Sequence, residues 1–191
     1  MDPIIVLLIV LVVVIAGVAI YFWSRRQRTQ RLADRFGPEY QHAVEERGDR
    51  RQAEAELEAR QKRVEKLEIR RLAPDERDGF ARRWEEVQAR FVDQPDDAIR
   101  DADRLVQEVM EARGYPVGDF EQRASDVSVD HPQVVQYYRS AHGIAQRHAE
   151  GGVDTEELRV AVVDYRALFD DLLETDEQTG EERGERMETH R

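Results

Sequence analysis

The sequence has no cysteine, which excludes a disulfide scaffold, a thiolate zinc site, an iron–sulfur cluster, a thiol nucleophile and a lipoprotein-type anchor. It is nearly as poor in lysine: Lys62 and Lys66 are the only lysines among 29 basic residues, a bias toward arginine that fits a GC-rich bacterial genome. No segment alternates apolar and polar side chains with period two, so nothing reads as a half-buried strand. Walker A, GxGxxG and HExxH sequences are missing, and no serine sits in a nucleophile-elbow context. An excess of cation is missing too. With 41 acidic residues the formal charge is −12, opposite in sign to the clustered cation a nucleic-acid binder needs to displace counterions.

What is present is distributed unevenly. Residues 1–23 are almost wholly apolar, 24–72 are dominated by charge, 73–174 mix the two at helical spacing, and 175–191 are mostly Glu, Arg, Gly and Thr with Met187 as the one large apolar side chain. Only the third region has the apolar content to build a core.

Ile4 to Trp23 contains no charged or amide side chain, and at about 1.5 Å per residue such a run spans the roughly 30 Å of a bilayer core. Val and Ile dominate it, but in lipid a single segment satisfies its backbone only as a helix. Tyr21, Phe22 and Trp23 close the run as an interfacial belt, followed by Arg25, Arg26, Arg28, Arg31 and Arg35. Cation on one flank alone predicts a short outside N-terminus and a cytoplasmic body. The same five arginines are candidate membrane-surface residues for anionic lipid. A cleaved signal peptide, with Gly17 and Ala19 near the cut, is the competing expectation. It fits less well, because a signal peptide carries its cation ahead of a shorter apolar region. No two small residues lie four apart in the run, so no dimerisation face of the small-xxx-small kind is expected.

The next region, 25–72, reads as a charged helical connector interrupted at Gly37-Pro38 and Gly48-Asp49. Asp49 is placed to cap a helix reaching about Ile69, with Glu56/Arg60 and Glu58/Lys62 in the favourable i to i+4 orientation of a solvated rod. A coiled coil is the sharper alternative, since Ala53, Leu57, Val64 and Leu67 fit a seam. Arg50, Arg60 and Arg71 also fall on it, so a homo-oligomer through this segment is only weakly specified.

Residues 73–174 read as a four-helix bundle with one extra turn. Pro74 and Pro95 open the first two helices in the manner of N1 prolines. Phe80, Trp84, Val87 and Phe91 form one apolar stripe, and Ile99, Ala102, Val106, Val109 and Met110 the next. A short amphipathic turn carries Phe120, Ala124 and Val127. Pro132 is expected to begin the third long helix, with Val135, Tyr138, Ala141 and Ile144. The last, capped at Asp154 or Thr155, buries Leu158, Ala161, Tyr165, Leu168, Phe169 and Leu172. The fold class is therefore all-α: a transmembrane anchor over 1–24, the connector over 25–72, the bundle over 73–174 and a disordered acidic tail over 175–191. The bundle carries 12 basic against 24 acidic residues, a sign that an anionic leaflet repels.

Chemistry is sparse. Glu39 and His42 form a single ExxH unit, whereas a di-iron bundle needs two and further carboxylates. Asp96-Asp97 suit a helix N-terminus, and Asp101, Asp103 and Asp170-Asp171 sit on polar faces. A metal-dependent enzyme using His131 and His142 is carried as an alternative, an exported envelope protein as another. No cofactor is called for. The most distinctive stretch runs from Ala112 to Pro132, where Tyr115, Phe120 and His131 are the candidate residues for binding a protein partner, since loops on a rigid scaffold carry specificity.

Along this region Ala102-Asp103-Arg104-Leu105-Val106, Val109-Met110, Arg113-Gly114-Tyr115-Pro116, Asp119-Phe120-Glu121 and Ser128-Val129-Asp130-His131-Pro132 resemble a family of uncharacterised short bacterial proteins, some with an N-terminal anchor. The resemblance covers about 73–173 and implies a helical domain without any activity. Taken together, the expectation is a single-pass protein of the bacterial inner membrane with a cytoplasmic helical interaction module, its partners being membrane lipid and an unidentified protein, not nucleic acid.

Overall fold

The structure is a computed structural model that describes the backbone of residues 3–174 and the side chains of Leu11 and of 15–174. Among the described residues there are eight helices and no strand, so the all-α class holds. The contacts divide the chain into two compact units, split between Glu58 and Ala59.

The first unit contains α1 (Pro3–Phe36), α2 (Pro38–Arg47) and the start of α3 (Arg50–Val64). The breaks fall at the two glycine positions expected. Asp49 caps α3, its Oδ1 accepting from the backbone N–H of Arg51 at 2.7 Å and of Gln52 at 3.3 Å. Leu32, Phe36, Tyr40, Ala43, Ala53 and Leu57 are buried, which gives this charged region a small core of its own. Among the described residues no helix is long and apolar enough to cross a membrane. The expected span over 4–23 falls largely on side chains outside the described residues. The expected tail over 175–191 lies outside them altogether.

The solvated rod is not what forms. One stripe of α3, Ala53, Leu57, Arg60 and Val64, is buried within the single chain, so the seam that suggested a coiled coil is already covered. Glu56 takes Arg47 of α2 and Glu58 takes Arg28 of α1, ties between helices as well as along one. The helix also stops at Val64 rather than near Ile69. Further on, Arg70 N–H donates to Arg113 O at 2.7 Å, and Glu68 O sits 2.5 Å from where a Cβ on Gly114 would lie. A chain engaged in that way cannot continue its own i to i−4 ladder.

The second unit holds the end of α3, then α4 (Pro74–Phe91), α5 (Pro95–Arg113), the short α6 (Phe120–Val127), α7 (Val135–Ala149) and α8 (Thr155–Glu174). Helices α4 and α5, α5 and α8, and α7 and α8 pack as neighbours, which is the expected four long helices with an extra turn. Glu76 accepts from Ala73 N–H at 2.8 Å at the start of α4. Asp119 Oδ1 accepts from Gln122 N–H at 2.8 Å on α6, and Asp154 Oδ1 from Glu157 N–H at 2.9 Å on α8. The core is built from the predicted stripes: Trp84 stacks on Phe169 with ring centroids 4.6 Å apart, and all six residues named on α8 are buried. Helix α7 starts three residues later than Pro132 suggested. His131 O there accepts from both Val134 N–H and Val135 N–H, so the proline sits in the preceding turn.

Candidate functional site

The stretch expected to form a partner groove is largely turned inward. Tyr115 follows the left-handed Gly114 that ends α5 (φ 98°), and its N–H donates to Met110 O at 3.0 Å. That geometry drives the ring into the interior, where it is 3% exposed. Its hydroxyl donates to Asp130 Oδ2 at 2.9 Å, so Asp130 grips Tyr115. Burial, with the Asp130 charge next in importance, pushes the Tyr115 phenol well above its ordinary value. His131 is 2% exposed, its Nδ1 facing Asp171 Oδ2 at 2.5 Å while Nε2 is buried with no hydrogen-bond partner. The two rings lie edge to face at 6.3 Å. Tyr115 and His131 thus stitch the α5–α7 connection to α8 and present little to solvent.

Phe120 is the exception, half-buried on α6. Its ring lies flat on His142 of α7, centroids 3.6 Å apart and planes 6° from parallel, and 4.9 Å from Tyr138. Burial under this ring lowers the His142 pKa, with the Asp103 charge opposing it. Beneath the stack runs a partly satisfied polar path. Arg123 Nε donates to Tyr138 OH at 3.2 Å, and burial pushes the Tyr138 phenol up to about 12. Tyr165 lies 6.1 Å from Tyr138, ring to ring. Burial and the Asp103 charge both raise the Tyr165 pKa, yet Tyr165 OH and Asp103 Oδ1 form no hydrogen bond of normal geometry. Phenols held neutral and an imidazole kept neutral can shape a surface or donate a hydrogen bond. They do not make a nucleophile and base of the triad kind, which needs the two within hydrogen-bond reach.

His131 and His142, paired in the metal-enzyme alternative, have separate surroundings: a carboxylate for the first, a phenyl ring for the second. No group of three or more His, Asp or Glu able to hold a metal occurs among the described residues. Glu39 of the ExxH unit is buried and His42 half-buried.

Sequence reasoning missed the carboxylates that join distant segments. Asp126, only 1% exposed, is held by Arg63 at 2.6 Å and by Gln122 Nε2 at 2.8 Å. The Gln122/Asp126 spacing is a visible i to i+4 signal, whereas Arg63 lies 63 residues away and offers none. Arg113 likewise carries no local signal of its role, yet its Nη1 donates to Leu172 O at 2.6 Å inside the core.

Clefts open at two places among the described residues. One, of about 160 Å³ between α4 and α5, is lined by Arg83, Arg90 and Arg104. All three are committed, to Glu108, Asp101 and Asp101 respectively. The other, of about 370 Å³ in the first unit, is lined by Tyr21, Ser24, Arg25 and Arg28 of α1 and by Arg51 and Glu54 of α3. It gathers two of the five candidate membrane-surface arginines. Arg26 and Arg31 are exposed elsewhere on α1, and Arg35 is also exposed.

No known protein family, curated protein or solved structure matches the chain.

Proposed function

We propose that the chain is a single-pass bacterial inner-membrane protein, its N-terminus outside and its helical domain on the cytoplasmic face, and that this domain is a non-catalytic module for a protein partner. The observation that carries it is the continuity of α1. The uncharged run 4–23, its aromatic end and the arginines belong to one unbroken helix, Pro3–Phe36, so cation follows the apolar run without a hinge at which a leader would part from the body. Tyr21, Phe22 and Trp23 are all more than half exposed, as residues meant for an interface rather than a protein core would be.

The non-catalytic part rests on where the ionisable groups of the second unit go. His131, Asp126, Arg113, Tyr115 and Asp130 are used to join segments of the fold, and exposed apolar side chains, Val92, Val117, Tyr137, Val160 and Val163, are left for a partner.

Alkaline phosphatase and a cytoplasm-dependent reporter fused in turn to the C-terminus test the placement. Activity of the cytoplasmic reporter alone is expected. Phosphatase activity alone, or mature protein whose first residue lies beyond Ala19, overturns the anchor and leaves the exported envelope protein. In-cell crosslinking of the full chain should return a protein partner, and none above background removes the interaction module.

A further inference from the structure

We infer that the cleft walled by Tyr21, Ser24, Arg25 and Arg28 of α1 and by Arg51 of α3 binds the phosphate-bearing headgroup of an anionic phospholipid. The α1 arginines alone predict only a diffuse basic collar. What the fold adds is Arg51, brought in from a helix 23 residues beyond Arg28 in sequence, and a concave space of about 370 Å³, inside the roughly 300–1,000 Å³ range of small-molecule sites.

The cations differ in how they are engaged. Arg28 is paired with Glu58 in a contact open to solvent on the arginine side, where an ion pair is worth little. The Arg25 and Arg51 guanidinium groups have no carboxylate partner among the described residues. The one acid in the wall, Glu54, is 5% exposed and its Oε1 is taken up by Thr29 Oγ1, which donates to it at 2.7 Å, and by Tyr40 OH, at 3.0 Å. Two guanidinium groups can fork onto phosphate oxygens, while the Tyr21 and Ser24 hydroxyls supply further donors.

Depth agrees. Along a helix rising about 1.5 Å per residue, Arg25 lies about 3 Å and Arg28 about 7.5 Å past Trp23. A headgroup layer is about 5–7 Å thick on each side of the hydrocarbon. Tyr21 belongs both to the aromatic belt and to the cleft wall, so the cavity opens where lipid phosphates lie. The inference takes this depth from the anchor reading. The site itself is tested without it, because binding in detergent does not depend on topology.

Full-length protein in non-ionic detergent is titrated, by thermophoresis, with dioctanoyl phosphatidic acid, dioctanoyl phosphatidylglycerol, dioctanoyl phosphatidylcholine and inorganic phosphate. The anionic lipids should bind at least tenfold more tightly than the other two. Arg25→Gln/Arg51→Gln should weaken them roughly 10- to 30-fold. Arg26→Gln/Arg31→Gln removes the same charge from residues outside the cleft and should cost less than about threefold. Equal losses in the two variants overturn the cleft in favour of diffuse charge. Phosphatidylcholine binding as tightly as the anionic lipids also overturns it, and so does inorganic phosphate binding as well as the lipid. Circular dichroism confirming unchanged helix content in both variants keeps the comparison valid. An inverted anchor found with the reporters would move the cleft to the other leaflet and leave these affinities unchanged.

Discussion

Replacing Gly114 by alanine isolates the contact that ends α3 early and fastens the 65–73 segment to the bundle. Gly114 has φ +98°, and a Cβ there would lie 2.5 Å from Glu68 O and 3.3 Å from Glu68 C. Two penalties add. The left-handed conformation costs an L-residue roughly 1–2 kcal/mol. The neighbour is backbone and must retreat by about 0.9 Å to reach the 3.4 Å of ordinary contact. That displacement acts two residues from the Arg70 N–H to Arg113 O bond of 2.7 Å, whose loss costs roughly 1 kcal/mol. The total is about 2–3 kcal/mol. Gly151 provides the matched control: φ is +86° but nothing lies within 4 Å of its would-be Cβ, so Gly151→Ala should cost about 1–2 kcal/mol. In urea, with a slope of about 2 kcal/mol/M, the midpoints should fall by about 1–1.5 M for Gly114→Ala and, on the same scale, about 0.5 M less for Gly151→Ala. Hydrogen exchange should show the Arg70 amide losing protection in the first variant alone. Equal midpoint shifts, or an Arg70 amide as protected as before, would refute the claim that Gly114 is required by the passing backbone.

Other substitutions probe the polar groups. Removing Arg63 (Arg63→Ala) leaves Asp126 buried with only Gln122 to hold it; because Arg63 itself is 41% exposed, the cost should be about 2 kcal/mol rather than that of a fully buried pair, and Asp126→Asn on the same background should recover most of it in a denaturant titration. Tyr165→Phe deletes a buried hydroxyl that has no hydrogen-bond partner and should leave stability unchanged or raise it by up to about 1 kcal/mol; a loss above 1 kcal/mol would show that Tyr165 and Asp103 do bond in solution. Phe120→Ala uncovers His142, whose pKa is lowered chiefly by burial, so its imidazole titration followed by NMR should move upward. In the native protein that depressed value means the unfolded chain takes the proton first, so stability declines as pH falls below the ordinary histidine value of about 6.5, a decline Phe120→Ala should reduce. Arg70 holds the Glu76 carboxyl down to about 2; the stability from that pair is present above the ordinary glutamate range and lost as pH falls through about 2, and Arg70→Gln should return the Glu76 titration toward the ordinary range.

The parts of the fold legible in the sequence are those decided within a few residues. Helix starts at Pro74 and Pro95, caps at Asp49 and Asp154, and the six-residue buried face of α8 each follow from local chemistry and a 3.6-residue period. What could not be read is set by contacts between distant segments. Glu65 to Ile69 has nothing against helix in its own composition; the helix ends because the backbone of Gly114 and Arg113 claims that stretch. The pairs in α3 were sought along one helix because only i to i+4 spacing is visible in a sequence, whereas Arg28 and Arg47 arrive from α1 and α2. For the candidate site the lesson is similar. Tyr115 and His131 were distinctive because tight turns need particular residues, and that distinctiveness turns out to serve burial. Arg51, which makes a cleft of what was a row of cations, looks like any other charge on a polar helix.

The distribution of these groups also governs how any test of chemistry must be read. Tyr115 to Asp130, His131 to Asp171, Arg63 to Asp126 and Arg113 to Leu172 O each join positions at least 15 residues apart, so they act as cross-links of the second unit. Removing Arg63 or Arg113 leaves a buried acceptor unsatisfied, at roughly 1–3 kcal/mol, and truncating the buried Tyr115 or His131 ring empties space in the core at a comparable or larger cost, each a substantial part of the 5–15 kcal/mol that holds a domain together. Lost binding in a His131→Ala variant would therefore report unfolding as readily as contact. Phe120 differs, being half-buried on the short α6, where trimming to alanine disturbs His142 and Tyr138 but none of the four ties. A partner bound through this region should then be lost in Phe120→Ala at unchanged urea slope. If it is lost only in variants whose slope or midpoint also changes, the Tyr115 to His131 segment is scaffold and the recognition surface lies elsewhere, on the exposed Tyr137, Val160 and Val163 side chains.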